Sequence, residues 1–237
     1  MKRVVFSMLA MLGVVALVLA MTPAPALADT IEISATGTAS SSSWSWNGAV
    51  GGALTGSLTN PTSALTVGRQ GAIALGPFSF TGTYSWTTGG FAGTTAIGPL
   101  TFFNFGAGGN VSVATGGSGQ SINGTFFAAD TTLFTGTFTA ASVVLNGSPT
   151  AGFDATFILG TVNPNLLTAL DFASSPTGAT GAITGNLNGA PLVAGQANSG
   201  TIGSSDLTLN VPEPGTLVLL GTGLLGLAGI FRRKISG

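Results

Sequence analysis

The stretch that decides the fold class of this chain is residues 78–86, which read FSFTGTYSW. The aromatic residues and the glycine fall on one side of an extended backbone, and the serines and threonines fall on the other. A strict period of two is typical of a β-strand that is buried on one face only. Residues 132–139 repeat the pattern, with phenylalanine and glycine alternating with threonine from Phe134 to Thr139. The two segments therefore predict strands with an aromatic inner face and a hydroxyl-covered outer face.

The rest of residues 29–210 reads as short strands separated by Gly, Ser, Asn and Pro, with almost no helical periodicity. One-sided strands of this kind suit an antiparallel sheet. The predicted fold class is therefore all-β, an antiparallel β-sandwich of jelly-roll type with two stacked sheets. The exception is residues 165–172 after Pro164, where a helical turn and a strand are both compatible with the sequence. The chain has no cysteine, so the fold depends on packing and backbone hydrogen bonds.

A five-residue element recurs in these strands, with a glycine between two large apolar residues on the same face. Its central glycines are Gly56, Gly82, Gly124, Gly136 and Gly185. The unequal spacing excludes a solenoid, which requires a nearly constant period. We expect each missing side chain to make room for an aromatic ring from a neighbouring strand, or to allow a bend.

Charged residues are scarce in residues 29–210, where Arg69 is the only basic residue. The acidic residues there are Asp29, Glu32, Asp130, Asp154, Asp171 and Asp206, so six negative charges against one positive charge give a formal charge of −5. Nucleic acid is excluded as a partner, because binding to phosphates needs clustered Lys and Arg.

Catalysis is the function that the composition disfavours most. The chain has no His and no Cys, which removes the usual proton shuttles, thiol nucleophiles and zinc ligands. Two carboxylates suffice for glycoside hydrolysis, and the candidates are Asp130, Asp154, Asp171 and Asp206. None lies in a recognisable signature, and the ordinary interpretation is that they are turn and surface residues. We expect no enzyme activity, no cofactor and no metal site. The alternative is a calcium site built from these aspartates and backbone carbonyls, although no Asp-x-Asp-x-Asp spacing supports it.

Four aromatic residues suggest a binding module as the alternative function. Trp44 and Trp46 share one side of a strand-like segment, and Tyr84 and Trp86 share one side of another. Exposed flat rings of this kind can stack on sugars. Large aromatic side chains in a cysteine-free fold are more typical of the core, however, because each buries a large apolar area.

The N-terminal 28 residues have the pattern of a signal peptide. Lys2 and Arg3 form a positive region, residues 4–21 are apolar, and Ala26 and Ala28 form a small-x-small cleavage site. We expect a signal helix that is removed by cleavage after Ala28.

The C-terminal segment 211–237 has three parts. Val211, Pro212, Glu213 and Pro214 come first, the uncharged run 215–231 follows, and a basic cluster ends the pattern. The run has 17 residues and, as a helix, extends about 25 Å, which is just enough for a short transmembrane helix. The basic cluster consists of Arg232, Arg233 and Lys234. Positive charges at both ends of the chain place both ends in the cytoplasm and the body across the membrane.

This three-part tail resembles the PEP-CTERM sorting signal of Gram-negative bacteria. The resemblance is limited to the tail and implies recognition by a membrane-embedded exosortase, after a transient stay in the inner membrane. It also implies delivery to the cell surface or the exopolysaccharide matrix. The body is then expected to be a non-catalytic structural or adhesive component of a biofilm or extracellular matrix. Exopolysaccharide is an expected partner, and unpaired strand edges suggest self-association.

Overall fold

The computed structural model describes residues 29–36, 42–71, 74–172, 179–189 and 192–211, without the side chains of 60–64, and all of them belong to one compact unit. These residues form twelve strands and one short helix. In chain order the elements are β1 (Asp29–Thr36), β2 (Ser42–Trp46), β3 (Ala53–Gln70), β4 (Leu75–Ile97), β5 (Leu100–Phe105), β6 (Asn110–Thr115), β7 (Gln120–Ile122), β8 (Thr125–Phe127), β9 (Thr132–Leu145), β10 (Thr150–Val162), α1 (Pro164–Ala169), β11 (Thr180–Gly189) and β12 (Asn198–Val211).

Ten of these strands form one antiparallel sheet, and β7 and β8 form a separate hairpin. Within the large sheet each strand pairs with the strand of that sheet that precedes it in the chain, except where two short strands lie end to end. β1 and β2 both pair with β3, and β5 and β6 both pair with β4 and with β9. β12 pairs with both β1 and β2. The strands therefore follow chain order around a closed sheet.

The all-β, antiparallel prediction is confirmed, and the predicted jelly-roll of two stacked sheets is corrected. One sheet closes on itself, since β1 and β12 pair over eight positions from Asp29↔Val211 to Thr36↔Ser204. Alternation shows which side of a strand is apolar, and that side serves equally well in a sandwich or in a sheet that curls around its own core. The chain forms the second arrangement because tight turns, such as those at residues 98–99 and 146–149, favour pairing between strands that are neighbours in sequence.

The core lies inside the closed sheet and is filled largely by aromatic rings. Trp86 stacks on Phe153, with ring centroids 4.3 Å apart. Trp46 lies 4.8 Å from Phe91 by the same measure. The largest side chains with less than 2% exposure also include Phe127, Phe134, Phe138 and Phe157.

Two of the recurrent glycines make room for such rings, as the sequence predicted. A Cβ on Gly56 would lie 2.2 Å from Trp86 Cζ2, and one on Gly136 would lie 2.5 Å from Phe157 Cδ2. Gly181, which the recurrent element did not include, lies against the same Phe157 ring. Gly124 has a different role, because its φ of 77° places it in the turn between β7 and β8.

A helix and the β7–β8 hairpin lie together at one end of the closed sheet, the end where β1 begins and β12 finishes, called here the terminal end. The Asn163 side chain caps α1 by accepting a hydrogen bond from the Asn165 N–H at 2.9 Å. Asn123, in the hairpin turn, donates to the Ala169 carbonyl at 2.6 Å. Of the two structures that the sequence allowed after Pro164, the helical one is confirmed.

Candidate functional site

The first and last strands meet at the terminal end. Asp29 and Val211 are direct partners in the β1–β12 ladder, and Val211 is 4% exposed. Asn210 lies between Thr30 on β1 and Thr180 on β11. The ladder therefore continues to the residue before Pro212, which has no N–H to donate to a further rung.

Arg69 links three parts of the chain at this end. Its guanidinium donates to the Asp29 carboxylate, to the Asp171 carbonyl and, at 3.3 Å, to the Leu170 carbonyl. The guanidinium carbon also lies 4.4 Å from the centroid of the Phe172 ring. Arg69 thus connects the start of β1, the end of β3 and the segment that follows α1.

The partners of Arg69 offset much of the energetic cost of burying its positive charge. Arg69 is 7% exposed and Asp29 is also 7% exposed. A buried ion pair is tolerated when further hydrogen bonds and aromatic faces satisfy the charged groups. Both terminal nitrogens of Arg69 have such partners, whereas Nε has no hydrogen-bond partner among the described residues. The sequence identified Arg69 as the only basic residue of the body but did not predict this role. The available signal was its inward position in the alternation of Leu65, Val67 and Arg69.

The four aromatic residues that suggested carbohydrate stacking lie inside the closed sheet. Their exposures are 2% for Trp44, Trp46 and Trp86 and 1% for Tyr84. The Trp44 indole donates to the Asn188 carbonyl at 2.9 Å, and the Trp46 indole donates to the Gly52 carbonyl at 3.2 Å. The hypothesis that these rings stack on sugars is therefore corrected, because their faces are covered by the core.

Tyr84 is held as a neutral phenol within this core. Ser205 donates a hydrogen bond of 3.1 Å to the Tyr84 hydroxyl oxygen. Burial raises the pKa of Tyr84 far above its ordinary value, and the nearby Asp206 adds to the rise.

The candidate carboxylates separate into turn residues and surface residues. Asp130 and Asp171 occupy turns, with positive φ of 53° and 56°, as the sequence interpretation proposed for Asp130. Asp154 and Asp206 are both exposed and both pair with Thr184, from opposite sides. Two strand spacings separate their Cα atoms by about 9.5 Å.

Asp154 and Asp206 line one shallow groove of about 280 Å³, together with Thr184, Asn186 and Ser204. The groove lies on the outer face of the sheet, where the side chains are in contact with water. Within the residues that the structure describes, no three acidic side chains come together in a way that could hold a metal ion.

Another part of the outer face carries a regular array of uncharged polar side chains, nearly all of them hydroxyl groups. One row crosses six strands through consecutive ladder partners, and its members are exposed or half-buried: Ser43, Ser57, Ser85, Ser112, Thr135 and Thr161. A second row continues the array one step along the strands: Ser45, Thr55, Thr87 and Asn110. Neighbouring hydroxyls are bonded to each other, at 2.9 Å for Ser45 and Thr55 and at 2.9 Å for Thr135 and Thr161. These two rows, called here the hydroxyl face, contain no charged residue.

Several predicted site residues lie outside the described part of the chain. These are the cleavage residues Ala26 and Ala28, the sorting residues Pro212, Glu213 and Pro214, and the basic residues Arg232, Arg233 and Lys234. The same holds for the predicted signal and transmembrane helices. Among the residues that the structure does describe, no helix has the length and apolarity needed to cross a membrane.

The fold and the tail together define the class: an all-β protein whose last strand leads directly into a sorting tail. Residues 210–234 match the PEP-CTERM protein-sorting motif, which confirms the resemblance of the tail. This motif implies an exported, membrane-transiting precursor that is processed by an exosortase. Neither a curated protein nor a solved structure matches the chain.

Proposed function

We propose that this protein is a non-catalytic structural or adhesive component of the bacterial cell surface or the extracellular matrix. The observation that carries the proposal is the PEP-CTERM motif at residues 210–234, joined without a linker to a closed sheet. The body is then the cargo that the tail delivers.

The outer face supports a structural role because it offers many hydrogen-bonding groups and little else. The rows of the hydroxyl face present uncharged donors and acceptors at the regular spacing of neighbouring strands. Such a surface suits contact with a neutral, hydroxyl-rich polymer such as an uncharged exopolysaccharide. Asp206 lies on β12, outside the hydroxyl face, and Asp154 lies in the first half of β10 whereas Thr161 lies near the end of that strand, so neither negative charge belongs to the two rows.

The arrangement of the carboxylates gives little support to glycoside hydrolysis. A glycosidase acid is normally a carboxyl group whose pKa is raised by apolar surroundings. Asp154 and Asp206 lie two strands apart on the same groove, but both are exposed in a shallow depression. Asp154 also borders a larger, mainly apolar depression of about 490 Å³ that includes Ala140, Ala155 and Ala182, but its side chain is exposed there as well.

The closed sheet alters the way in which copies of this protein are expected to associate. The sequence suggested pairing between unprotected strand edges, but β1 and β12 satisfy each other in the closed sheet. Any adhesion between copies is therefore assigned to side chains of the outer face.

The experiment that tests the destination uses the full chain in two matched Gram-negative hosts, with and without an exosortase. We expect the body at the surface or in the shed matrix of the first host and with the inner membrane of the second. The same distribution in both hosts contradicts the proposal, as does recovery of the body from the cytosol.

Export can be scored on the same samples with an amine-reactive reagent. Residues 29–211 contain no lysine, so signal cleavage after Ala28 leaves the Asp29 α-amino group as the single reactive amine of the body. We expect one label on a peptide that begins at Asp29. A label on Met1 or Lys2 of the exported protein contradicts the predicted cleavage.

The structural role is tested by complementing a deletion strain and measuring the mass and cohesion of its matrix. The D154N/D206N variant is expected to restore the matrix as well as the parent. A matched hydroxyl-face variant, S85A/S112A/T135V, is expected to restore it poorly. Loss of function in D154N/D206N alone would favour the glycosidase alternative.

A further inference from the structure

The sorting motif and the folded body overlap. The PEP-CTERM match begins at residue 210, and β12 continues to Val211. Asn210 and Val211 therefore belong to both the sorting motif and the closed sheet.

Asn210 is held in the sheet by ladder partners on two sides, and Val211 by a partner on one side. Asn210 is the ladder partner of Thr30 on β1 and of Thr180 on β11. Val211 is the partner of Asp29, and its side chain is 4% exposed. Asp29 is itself held by the buried guanidinium of Arg69.

This pairing conflicts with the way in which processing enzymes hold peptide substrates. An extended substrate presents its backbone N–H and C=O groups to the enzyme as an added strand does. Asn210 and Val211 already lie in a ladder inside the body, so they cannot also extend the segment that an enzyme holds. Release of the strand end frees them for that contact.

We propose that the end of β12 acts as a latch on the sorting motif. The closed sheet withdraws Asn210 and Val211 from the tail, and the sorting enzyme engages the complete motif after these two residues separate from β1 and β11. The proposal rests on exosortase processing of this chain and adds a regulation by the fold. Arg69 acts at a distance in this device, as the residue that anchors the facing strand.

The direct test is a reversible lock between Thr30 and Asn210, which are ladder partners with outward side chains. The T30C/N210C variant places its two cysteines in a chain that otherwise has none. Directly paired positions bring Cβ atoms within the range from which a disulfide forms after a small adjustment. Full-length protein in membranes from an exosortase-containing host is assayed for loss of the tail, with loss of free thiols as proof that the lock has closed.

We expect the oxidised form to be processed at least about tenfold more slowly than the reduced form of the same protein, because cleavage follows the population of the open state when opening is fast. The reduced form is the control for both substitutions. Equal rates for the oxidised and reduced forms would overturn the latch.

A second test opens the latch without a cysteine. A Gly-Ser-Gly-Ser-Asn-Val insertion between Val211 and Pro212 gives the tail a free copy of the two residues while the body keeps its own. We expect faster processing than for the parent, and the parent rate when the same insertion follows Gly147 in the turn between β9 and β10. R69Q, which loosens β1 outside the motif, is also expected to speed processing.

Unchanged processing in both the tail insertion and R69Q would overturn the latch even if the lock failed to form. If the parent chain keeps its tail equally in membranes with and without the enzyme, the proposed function is overturned, and the latch with it. The two failures are therefore distinguishable.

Discussion

The guanidinium carbon of Arg69 lies 4.4 Å from the centre of the Phe172 ring, on the segment that follows α1. The same guanidinium binds the carboxylate of Asp29, the first residue of β1. The only basic side chain of the body is therefore used inside the protein, at the end where the chain enters and leaves the closed sheet.

Removal of this cation is expected to destabilise the body strongly. R69Q takes the counter-charge away from the buried Asp29 carboxylate and breaks the bonds to the Leu170 and Asp171 carbonyls. Loss of one partner of a buried ion pair typically lowers the free energy of unfolding by about 3–5 kcal/mol. Urea denaturation of residues 29–211 provides the measurement.

The control for this prediction is a double-mutant cycle with D29N. We expect R69Q/D29N to be more stable than the sum of the single effects predicts, by about 0.5–3 kcal/mol, because neither charge is then left uncompensated. Strictly additive effects would mean that the two side chains do not stabilise each other.

A methyl group at Gly56 is expected to disturb the core. The Cβ of G56A would lie 2.2 Å from Cζ2 of Trp86, and Trp86 is fixed by its stacking on Phe153. Overpacking of this kind costs about 1–3 kcal/mol. The denaturation midpoint should fall relative to the parent.

The matched control is G152A, on β10. Its Cβ would meet no atom closer than Val144 Cβ at 4.0 Å, so the midpoint should stay the same or rise slightly. Equal losses in G56A and G152A would show that the ring of Trp86 does not require the glycine.

Stability should fall at alkaline pH because of Tyr84. Burial raises the pKa of this phenol above the ordinary value of 10.0, so the folded state retains a proton that the unfolded state loses. The contribution of the neutral Tyr84 phenol to the free energy of unfolding is complete below pH 10.0 and is lost as the pH rises above that value. Because Tyr84 is the only tyrosine of the chain, tyrosinate absorbance reports this group alone.

We expect tyrosinate to appear only when the protein unfolds. Y84F should remove this part of the alkaline loss of stability, while Ser205 loses its acceptor. Titration of the phenol near its ordinary pKa in protein that remains folded would contradict the predicted burial.

Trypsin should not cleave the folded body. Arg69 is the only lysine or arginine in residues 29–211, and it is 7% exposed within β3. We expect no cleavage under native conditions and one cleavage, after Arg69, in urea. The V50R variant is the positive control, because Val50 lies in a turn and is 88% exposed. We expect trypsin to cleave this variant after residue 50 under native conditions, which shows that the protease is active.

Local patterns predicted much of this architecture correctly. The alternation in residues 78–86 appears as inward Phe80, Tyr84 and Trp86 on β4. The glycines at 56 and 136 accommodate rings, as expected for a residue without a side chain between two large ones. These features were predictable because each depends on residues that are neighbours along one strand or on an adjacent strand.

The closed sheet and the candidate site were less accessible from the sequence. The four aromatic residues had two interpretations, and burial in the structure selected the core for all of them. Asp154 and Asp206 were candidates among several carboxylates, and only the pairing of β10, β11 and β12 brought these two into one groove. The hydroxyl face likewise depends on the registers of six strands.

The sequence by itself determined the strand content, the inward and outward sides of the strands and the sorting tail, because these properties depend on short-range order along the chain. The tertiary structure decided that β1 closes onto β12, that Arg69 meets Asp29 and that Asn210 and Val211 are held within the sheet. These contacts join residues far apart in sequence, and alternation does not specify the partner of a strand. The pairing is decided when all strands share one core, because only the closed arrangement covers the apolar faces and satisfies the backbone groups of the first and last strands together.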